Sequence, residues 1–365
     1  MKICILSMQR VNNYGSVLQA YALKKIIEEF GHQVEFIDIK RGENETLNIQ
    51  CDNLTLDKKD DKNWLALQML RIKYKFSNLR AKRMFDFFRM TELGIDCKKV
   101  DDFIYDVGVI GSDEVFNCLQ KSKWGFAPQL FGEVTNSKSV ITYAASCGAT
   151  TEAALSEDLR AAIISAMSNL NAISVRDENT ASFVRTLTGR EPQYNLDPVA
   201  IGDFTKEIQS IDLNNKVPSR YCLVYSYEGR IAEGKTIKAI LNFCENHNLV
   251  PIAPFGKQKW IQSQSVLAPF EILKAFENAE CVITDTFHGT LFGAKFGKKM
   301  AVIIRESNRN KLMDLTFRLK IEDHVLQDIN ELENVLNKNL DRPEIDKILA
   351  RERERSITYL RENLN

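Results

Sequence analysis

Short apolar runs alternate with longer stretches of helical periodicity along most of the chain. Near the start, the apolar run 2–7 precedes a polar loop and a helical pattern at 16–30, and a second apolar run lies at 33–39. Gly31 separates the helical pattern from the second run, and glycine commonly ends helices. A strand, a helix and a strand in this order predict a βαβ unit, because parallel strands need a long crossover connection.

The alternation returns after residue 105 and again after residue 220. The predicted strands there begin at residues 106, 139, 172, 221, 249, 281 and 300. Between the two regions, residues 191–220 contain four proline or glycine breaks and little periodicity. Such a composition is typical of a linker between domains.

This organisation predicts an α/β protein with two Rossmann-like domains whose parallel sheets face a cleft, the arrangement of the GT-B fold. A chain of 365 residues is also too long for one ordinary core. We expect the first domain at 1–205, with a helical insertion at about 41–100, and the second domain at 206–335. The remaining segment, 336–365, is predicted to be a helix that packs back on the first domain.

The insertion contains a basic amphipathic stretch at 64–89. Seven lysines and arginines fall between residues 70 and 89, against Asp86 as the one acid. One interpretation is a helix that covers the first domain, with Trp64, Leu67, Leu70 and Phe85 buried. The alternative is a surface that contacts the membrane or an anionic lipid-linked or polymeric acceptor.

The composition narrows the function classes. Lysine plus arginine number 49, as do aspartate plus glutamate, and the net charge of zero argues against a whole-surface nucleic-acid binder. The eight cysteines are scattered without C-x-x-C spacing, which predicts neither a zinc site nor a disulfide framework. The N-terminus does not resemble a signal peptide, and no apolar run is long enough to span a membrane. We expect a cytoplasmic protein without a metal or cofactor.

Five groups of candidate functional residues follow predicted strands, where open parallel sheets bind ligands. They are Asn13, Gly15, Ser16 and Gln19; Asp113 and Asn117; Arg176; Asp285, Thr286 and His288; and Arg305, Arg309 and Lys311. Each group also has a structural interpretation. The first two could cap helices or stiffen turns, and the last could be a solvated basic loop.

Arg176 and His288 have the most distinct alternatives. Arg176 could form an ion pair with Asp177, Glu178 or another acid, or it could hold a carboxylate or phosphate with its planar fork. His288 lies at a strand-to-helix junction, where the helix dipole favours a neutral or anion-paired imidazole. A single histidine is usually structural, although a ring that titrates near neutrality suits proton transfer.

Several motifs, in this order, resemble those of the polysaccharide pyruvyl transferase family. They are "NNYGSVLQAYAL", "YDVGVIGSDEVFN", "YAASCG", "SVRDENT", "LDPV" and "VITDTFHGTLFGAKFGKKMAV", and they extend over nearly the whole chain. The resemblance implies a GT-B fold and an enzyme of cell-surface polysaccharide biosynthesis. Such enzymes transfer the enolpyruvyl unit of phosphoenolpyruvate to a sugar diol, which yields a ketal and phosphate.

The resemblance also implies roles for the candidate residues. His288 and Asp285 are then catalytic. The expected donor-binding residues are Arg176, Arg305, Arg309, Lys311, Thr286 and Gly289, and the expected acceptor-binding residues are Asn13, Tyr14, Gly15, Ser16, Gln19, Asp113 and Asn117. The acceptor is a glycan or a lipid-linked saccharide.

One position departs from the family pattern. Characterised members often read D-R-[LM]-H-G, whereas this chain has Thr286 in place of the arginine. A cation for the donor would then come from elsewhere, such as Arg305 or Arg309. Two alternatives stay open: a GT-B glycosyltransferase that uses a nucleotide sugar, and a non-catalytic relative that binds a glycan or another partner.

Overall fold

The computed structural model describes residues 1–40, 79–95, 103–119, 126–263 and 265–365. The chain divides into two compact units. Unit 1 contains Met1–Pro198 together with Ser356–Asn365, and unit 2 contains Val199–Arg355. The boundary after Pro198 falls inside the segment 191–220 that lacks periodicity.

Unit 1 is built on a parallel sheet of four strands in the order β2-β1-β3-β4. The strands are β1 (Lys2–Leu6), β2 (Gln33–Phe36), β3 (Tyr105–Ile110) and β4 (Ser137–Thr142). Two short parallel strands follow, β5 (Ser174–Val175) and β6 (Gln193–Tyr194). The carboxyl ends of all these strands therefore point the same way within each sheet, which is the side where parallel sheets bind ligands.

Helices connect the strands of unit 1. They are Tyr14–Glu29, residues 79–88, Glu157–Met167 and Glu178–Thr188, with a π-helical turn at Arg89–Leu93 and 3₁₀ turns at Pro128–Phe131 and Glu152–Ala154. Ser156 and Asp177 cap two of these helices with side-chain oxygens. The core is mainly aliphatic and includes Phe116 stacked on Phe131 at 5.1 Å.

Unit 2 has a second parallel sheet of four strands in the order β10-β9-β7-β8. The strands are β7 (Tyr221–Tyr225), β8 (Val250–Ile252), β9 (Cys281–Thr284) and β10 (Lys299–Val302). Its helices are Pro198–Ile201, Thr205–Ile208, Gly234–Asn246, Pro269–Asn278, Phe287–Lys295, Arg309–Leu319 and Leu332–Asn337, with 3₁₀ turns at Glu306–Asn308, Glu322–His324 and Ile329–Glu331. The predicted α/β class with parallel sheets is confirmed.

The last helix is Arg342–Asn363. Its final residues belong to unit 1, where Tyr359 donates a hydrogen bond to the backbone oxygen of Thr142 (2.8 Å). Ser356 lies 3.2 Å from the side-chain amide of Asn195 in the same unit. These contacts tie the end of the chain to the strands of unit 1.

Only the end of the predicted basic stretch 64–89 can be compared with the structure. Trp64, Leu67 and Leu70 lie outside the described residues. Phe85, also expected to be buried, is 4% exposed, and its ring lies 5.1 Å from that of Tyr14. Within the described part of the chain, no helix has the length and apolar character required to span a membrane.

Candidate active site

In unit 2, the motif that contains His288 turns from β9 into the helix Phe287–Lys295. Thr286 is the N-cap: its backbone is extended, and its hydroxyl accepts a hydrogen bond from the Gly289 N–H (2.9 Å). A threonine oxygen here satisfies one of the N–H groups that every helix leaves unpaired at its start. Thr286, expected among the donor-binding residues, therefore already has a structural task.

Gly289 is fixed by packing against the end of the sheet. A Cβ added at this position would lie 2.2 Å from Thr284 Oγ1 and 2.7 Å from both Thr286 Oγ1 and a ring carbon of Tyr225. Real side chains do not approach that closely, so the helix can contact β9 here only with glycine. The glycine after His288 allows the helix to start directly against the strand.

His288 is the second residue of this helix, and its side chain is mostly enclosed, with 8% of the residue exposed. Its ring contacts Phe287 edge-on at 5.4 Å and lies 6.3 Å from the ring of Phe292. The imidazole therefore sits in an apolar surround at a helix N-terminus. Water is therefore largely excluded from the ring.

Asp285 and Arg305 form an ion pair at the ends of two neighbouring strands. Asp285 is 0% exposed, and one of its carboxylate oxygens accepts a hydrogen bond from Arg305 Nε (2.6 Å). Arg305 also donates from Nη2 to the backbone oxygen of Arg230 (2.6 Å), and 33% of its side chain is exposed. Asn308 donates to the backbone oxygen of Asp285 (2.6 Å). Arg305 is thus a cation held by two partners, with a third of its side chain exposed.

The other basic residues of this loop are more peripheral. Arg309 donates two hydrogen bonds to Glu306, and its side chain is 54% exposed. The hydrogen bond from Arg309 lowers the pKa of Glu306. Lys311 is half-buried in the first turn of Arg309–Leu319. Of the three predicted cations, Arg305 is the one for which the structure gives a hydrogen bond to Asp285.

In unit 1, Arg176 lies in a buried acidic cluster. Its Nη1 donates to Asp197 (2.9 Å), and its guanidinium lies 3.8 Å from Asp113 and 4.0 Å from Asp177. Only 1% of its side chain is exposed. Burial by itself would lower the pKa of Arg176, but the charges of Asp197, Asp113 and Asp177 outweigh it and raise that pKa. These contacts fit the ion-pair interpretation, and donor binding by Arg176 stays a prediction.

Asp113 is the more accessible acid of this cluster. It has a positive φ of 79°, an unusual conformation for a residue with a side chain. One carboxylate oxygen accepts a hydrogen bond from the hydroxyl of Ser16 (2.6 Å), and 14% of its side chain is exposed. The structure therefore brings together Ser16, Asp113 and Arg176, three residues that the sequence placed in separate groups.

The remaining predicted acceptor residues make local bonds. Asn13 caps the helix Tyr14–Glu29 by accepting from the Gly15 N–H (2.8 Å). Gln19 is fully buried and donates to the hydroxyl of Ser7 (2.6 Å). Asn117 donates to Glu114 (2.8 Å) and accepts from the hydroxyl of Thr150 (2.6 Å). These bonds match the structural interpretations, and sugar binding by these residues stays a prediction.

Two residues of these clusters were missing from the predicted sites. Asp197, which is 0% exposed, accepts from both Arg176 and Ser112. It belongs to the motif "LDPV", which is the only sequence signal that pointed to it. Asn308 lies within the basic loop, and no sequence signal distinguishes it from the other polar residues there.

Comparison with known proteins identifies the family. The model of the polysaccharide pyruvyl transferase family matches residues 13–307. The chain therefore belongs to that family, as its motifs predicted. No curated protein matches the chain in sequence.

Solved structures show the fold. UDP-GlcNAc 2-epimerase from Methanocaldococcus jannaschii, crystallised with UDP-GlcNAc and UDP, has a TM-score of 0.50 at 14% identity, over 98% of this chain and 100% of that chain. A putative UDP-N-acetylglucosamine 2-epimerase from Listeria monocytogenes has a TM-score of 0.47 at 10% identity, over 95% and 90%. A calicheamicin glycosyltransferase has a TM-score of 0.45 at 11% identity, over 98% of each chain. The TM-score of 0.50 with the first of these structures supports a fold of the GT-B type, and at 14% identity the likeness extends to the fold alone.

Proposed function

We propose that this protein transfers the enolpyruvyl group of phosphoenolpyruvate to a sugar diol and forms a pyruvate ketal in cell-surface polysaccharide biosynthesis. One observation carries the proposal. In a chain of the polysaccharide pyruvyl transferase family, His288 lies at the N-terminus of a helix, three residues after Asp285, which holds the partly exposed Arg305. A group that moves protons and a cation for an anionic donor are the two elements that this reaction requires.

The reaction has an addition step and then a substitution step. The first sugar hydroxyl attacks C2 of the enolpyruvyl group and loses its proton, while the methylene carbon C3 gains a proton and becomes a methyl group. The second hydroxyl then attacks C2 and loses its proton, and the bond from C2 to the phosphate oxygen breaks. The products are the ketal and inorganic phosphate. We assign the proton transfers to His288, because histidine is the side chain that most often serves as a general acid and base in enzymes.

Arg305 is our candidate for the cation that the family pattern places at position 286. Its Nε is bound to Asp285, the residue next to Thr286, and a third of its side chain is exposed. A guanidinium with free N–H groups binds phosphate or carboxylate in a defined geometry. Asp285, buried beneath it, acts in this proposal by positioning Arg305. Arg309, Lys311 and the backbone at Gly289 would add to donor binding.

The acceptor side of the proposal belongs to unit 1. The hydroxyl of Ser16, in the first turn of the helix Tyr14–Glu29, and the carboxylate of Asp113, in the loop after β3, form a polar pair 2.6 Å apart. Carboxylates and hydroxyls are the usual partners of sugar hydroxyls, so these two residues would bind the diol. Tyr14, Gly15 and the other residues of that loop would shape the site. For a lipid-linked acceptor, we predict that the basic stretch 64–89 contacts the membrane surface.

A transfer assay tests this function directly. The purified protein is incubated with phosphoenolpyruvate and a panel of lipid-linked sugars, and phosphate release is followed together with the mass of the sugar. The expected result is phosphate release matched by one ketal per acceptor. Parallel reactions contain UDP-sugars in place of phosphoenolpyruvate. Transfer from a UDP-sugar would replace the proposal with a glycosyltransferase, and binding of sugars without either reaction would indicate a non-catalytic relative.

A further inference from the structure

Aromatic side chains form an exposed surface at the carboxyl ends of β7 and β8 in unit 2. Tyr227 is 41% exposed, and the ring of Phe255 meets it at 5.0 Å and 68°. The guanidinium of Arg230 lies 4.4 Å from the centre of the Tyr227 ring. We call these three residues, Tyr227, Arg230 and Phe255, the ring platform. None of them belongs to the site residues considered above.

The ring platform is built on two loops that are fixed to each other. The buried side chain of Gln258 donates from Nε2 to the backbone oxygens of Tyr227 (2.9 Å) and Gly256 (2.7 Å). Gly256 has a φ of 58°, and a Cβ there would lie 2.0 Å from the backbone oxygen of Ser226. Phe255 stacks on the buried Tyr225 at 4.7 Å. An aromatic side chain that is held rigidly yet exposed loses little entropy when a ligand binds.

The platform is also joined to the candidate active site. The backbone oxygen of Arg230 accepts a hydrogen bond from Arg305 Nη2 (2.6 Å), and Arg305 binds Asp285 through Nε. The platform and the Asp285–Arg305 pair therefore share one edge of the sheet and one hydrogen-bonded chain. A ligand with a flat face and polar groups at its rim fits such a surface, because aromatic rings cover apolar faces and a guanidinium binds hydroxyls at the side.

We propose that the ring platform binds a pyranose ring of the saccharide acceptor. The C–H face of the pyranose would stack on Tyr227, and its hydroxyls would accept hydrogen bonds from the N–H groups of Arg230. This inference rests on the proposed function, which requires a saccharide acceptor. A nucleobase could also stack here, but the proposed reaction contains no nucleotide, so the sugar is the occupant that we infer.

Sugar binding can be measured without phosphoenolpyruvate. Saturation-transfer NMR is recorded with methyl glycosides of glucose, galactose and mannose, and separately with UDP, on four proteins: wild type, Tyr227→Ala, Tyr227→Phe and Phe317→Ala. Phe317 is 69% exposed on Arg309–Leu319 and serves as the matched control for loss of a surface aromatic ring. We expect at least one glycoside to bind the wild type, the Phe and the control variants. Tyr227→Ala should weaken this binding about tenfold.

Two results would overturn the inference. One is glycoside binding that is equal in the wild type and Tyr227→Ala, or absent from all four proteins. The other is UDP binding that depends on Tyr227 in the absence of glycoside binding, which would make the platform a nucleotide site. The proposed function has a separate outcome, because ketal formation is scored in the transfer assay. If the protein forms the ketal but Tyr227→Ala leaves glycoside binding unchanged, only this inference is wrong. If glycosides bind through Tyr227 but no ketal forms, only the proposed pyruvyl transfer is wrong.

Discussion

Arg176 in unit 1 and Arg305 in unit 2 occupy equivalent places, since each follows a parallel strand and binds a buried aspartate. Their surroundings differ. Arg176 lies within 4.0 Å of three carboxylates, and 1% of its side chain is exposed. Arg305 binds one carboxylate, and 33% of its side chain is exposed. Both strand ends look alike in sequence, but of the two arginines only Arg305 has a single carboxylate partner and a partly exposed side chain.

The difference shows what separates a structural cation from a ligand-binding one. A buried arginine that compensates several acids is needed where it is, because its removal would leave those charges without a partner in a poorly hydrated interior. Arg305 is held at Nε by Asp285 and at Nη2 by the backbone oxygen of Arg230, and a third of its side chain is still exposed, which is why we propose it as the donor-binding cation. Four variants test these assignments.

The largest effect is expected for His288→Ala, the change at the centre of the unit 2 site. We predict a loss of roughly 10²–10⁴-fold in turnover, the usual contribution of a positioned proton-transfer group. The melting temperature should change little, and steady-state ketal formation is the measurement. His247→Ala is the matched control, since His247 is a half-exposed histidine of the same unit paired with Glu333. Full activity of His288→Ala would remove the mechanism.

The next largest effect is expected for Arg176→Met. This change leaves the fully buried Asp197 without its cation, and breaking a buried ion pair costs about 3–5 kcal/mol of folding free energy. Denaturant unfolding measures the loss. Arg185→Met is the control in the same unit, because Arg185 is 37% exposed and solvent screens its ion pairs. Unchanged stability with a raised KM for phosphoenolpyruvate would instead make Arg176 a donor-binding residue.

Lys295 extends the comparison to a cation held by backbone oxygens. Its Nζ donates to the backbone oxygens of Ala200 (2.9 Å) and Gly202 (2.6 Å), and burial lowers the pKa of Lys295 to about 8. The unfolded chain, with a pKa near 10.5, binds this proton more tightly, so charging Lys295 opposes folding below pH 8. Stability should rise by about 1–3 kcal/mol between pH 8 and 10.5, relative to Lys295→Met. Unfolding of both proteins at several pH values measures it, and parallel curves would contradict the prediction.

The smallest effect is expected for Arg305→Gln, which keeps an N–H donor for Asp285 and removes the charge. We predict an increase of about tenfold in the KM for phosphoenolpyruvate, the scale of one lost charge-assisted hydrogen bond, with little change in turnover. Arg309→Gln should have less effect, because its guanidinium is paired with Glu306 and lies mostly in solvent. If Arg309→Gln raised the KM more than Arg305→Gln, the donor-binding cation would be Arg309.

The fold was accessible from the sequence because apolar runs and helical periodicity are local signals. The parallel sheets and the strand-end positions of Asp285 and Arg176 followed from them. The partners did not, since they are distant in sequence: Ser16 binds Asp113 across 97 positions, and Arg305 binds Asp285 across 20. The adjacent acid Glu178, a predicted partner of Arg176, binds Arg185 instead.

The backbone conformation of Asp113 and the burial of Asp197 could not be predicted from the sequence either. No sequence pattern indicates the positive φ of Asp113, because most aspartates have a negative φ. The burial of Asp197 depends on packing of the whole unit around a charge that a sequence pattern would place at the surface. Pattern analysis can therefore find the edge of a sheet where a site lies, but tertiary contacts decide which polar residues there are available to a ligand.

The contacts that hold the two loops of the ring platform together affect how the preference for an acceptor could change during the evolution of this protein. The hydrogen bonds run from Gln258 to backbone oxygens, and the two loops can approach each other closely only because Gly256 has no side chain. Neither depends on which side chain is present at positions 227 or 230. Single substitutions there would change the surface presented to a ligand and leave the backbone in place, so new preferences could arise without passing through poorly folded intermediates.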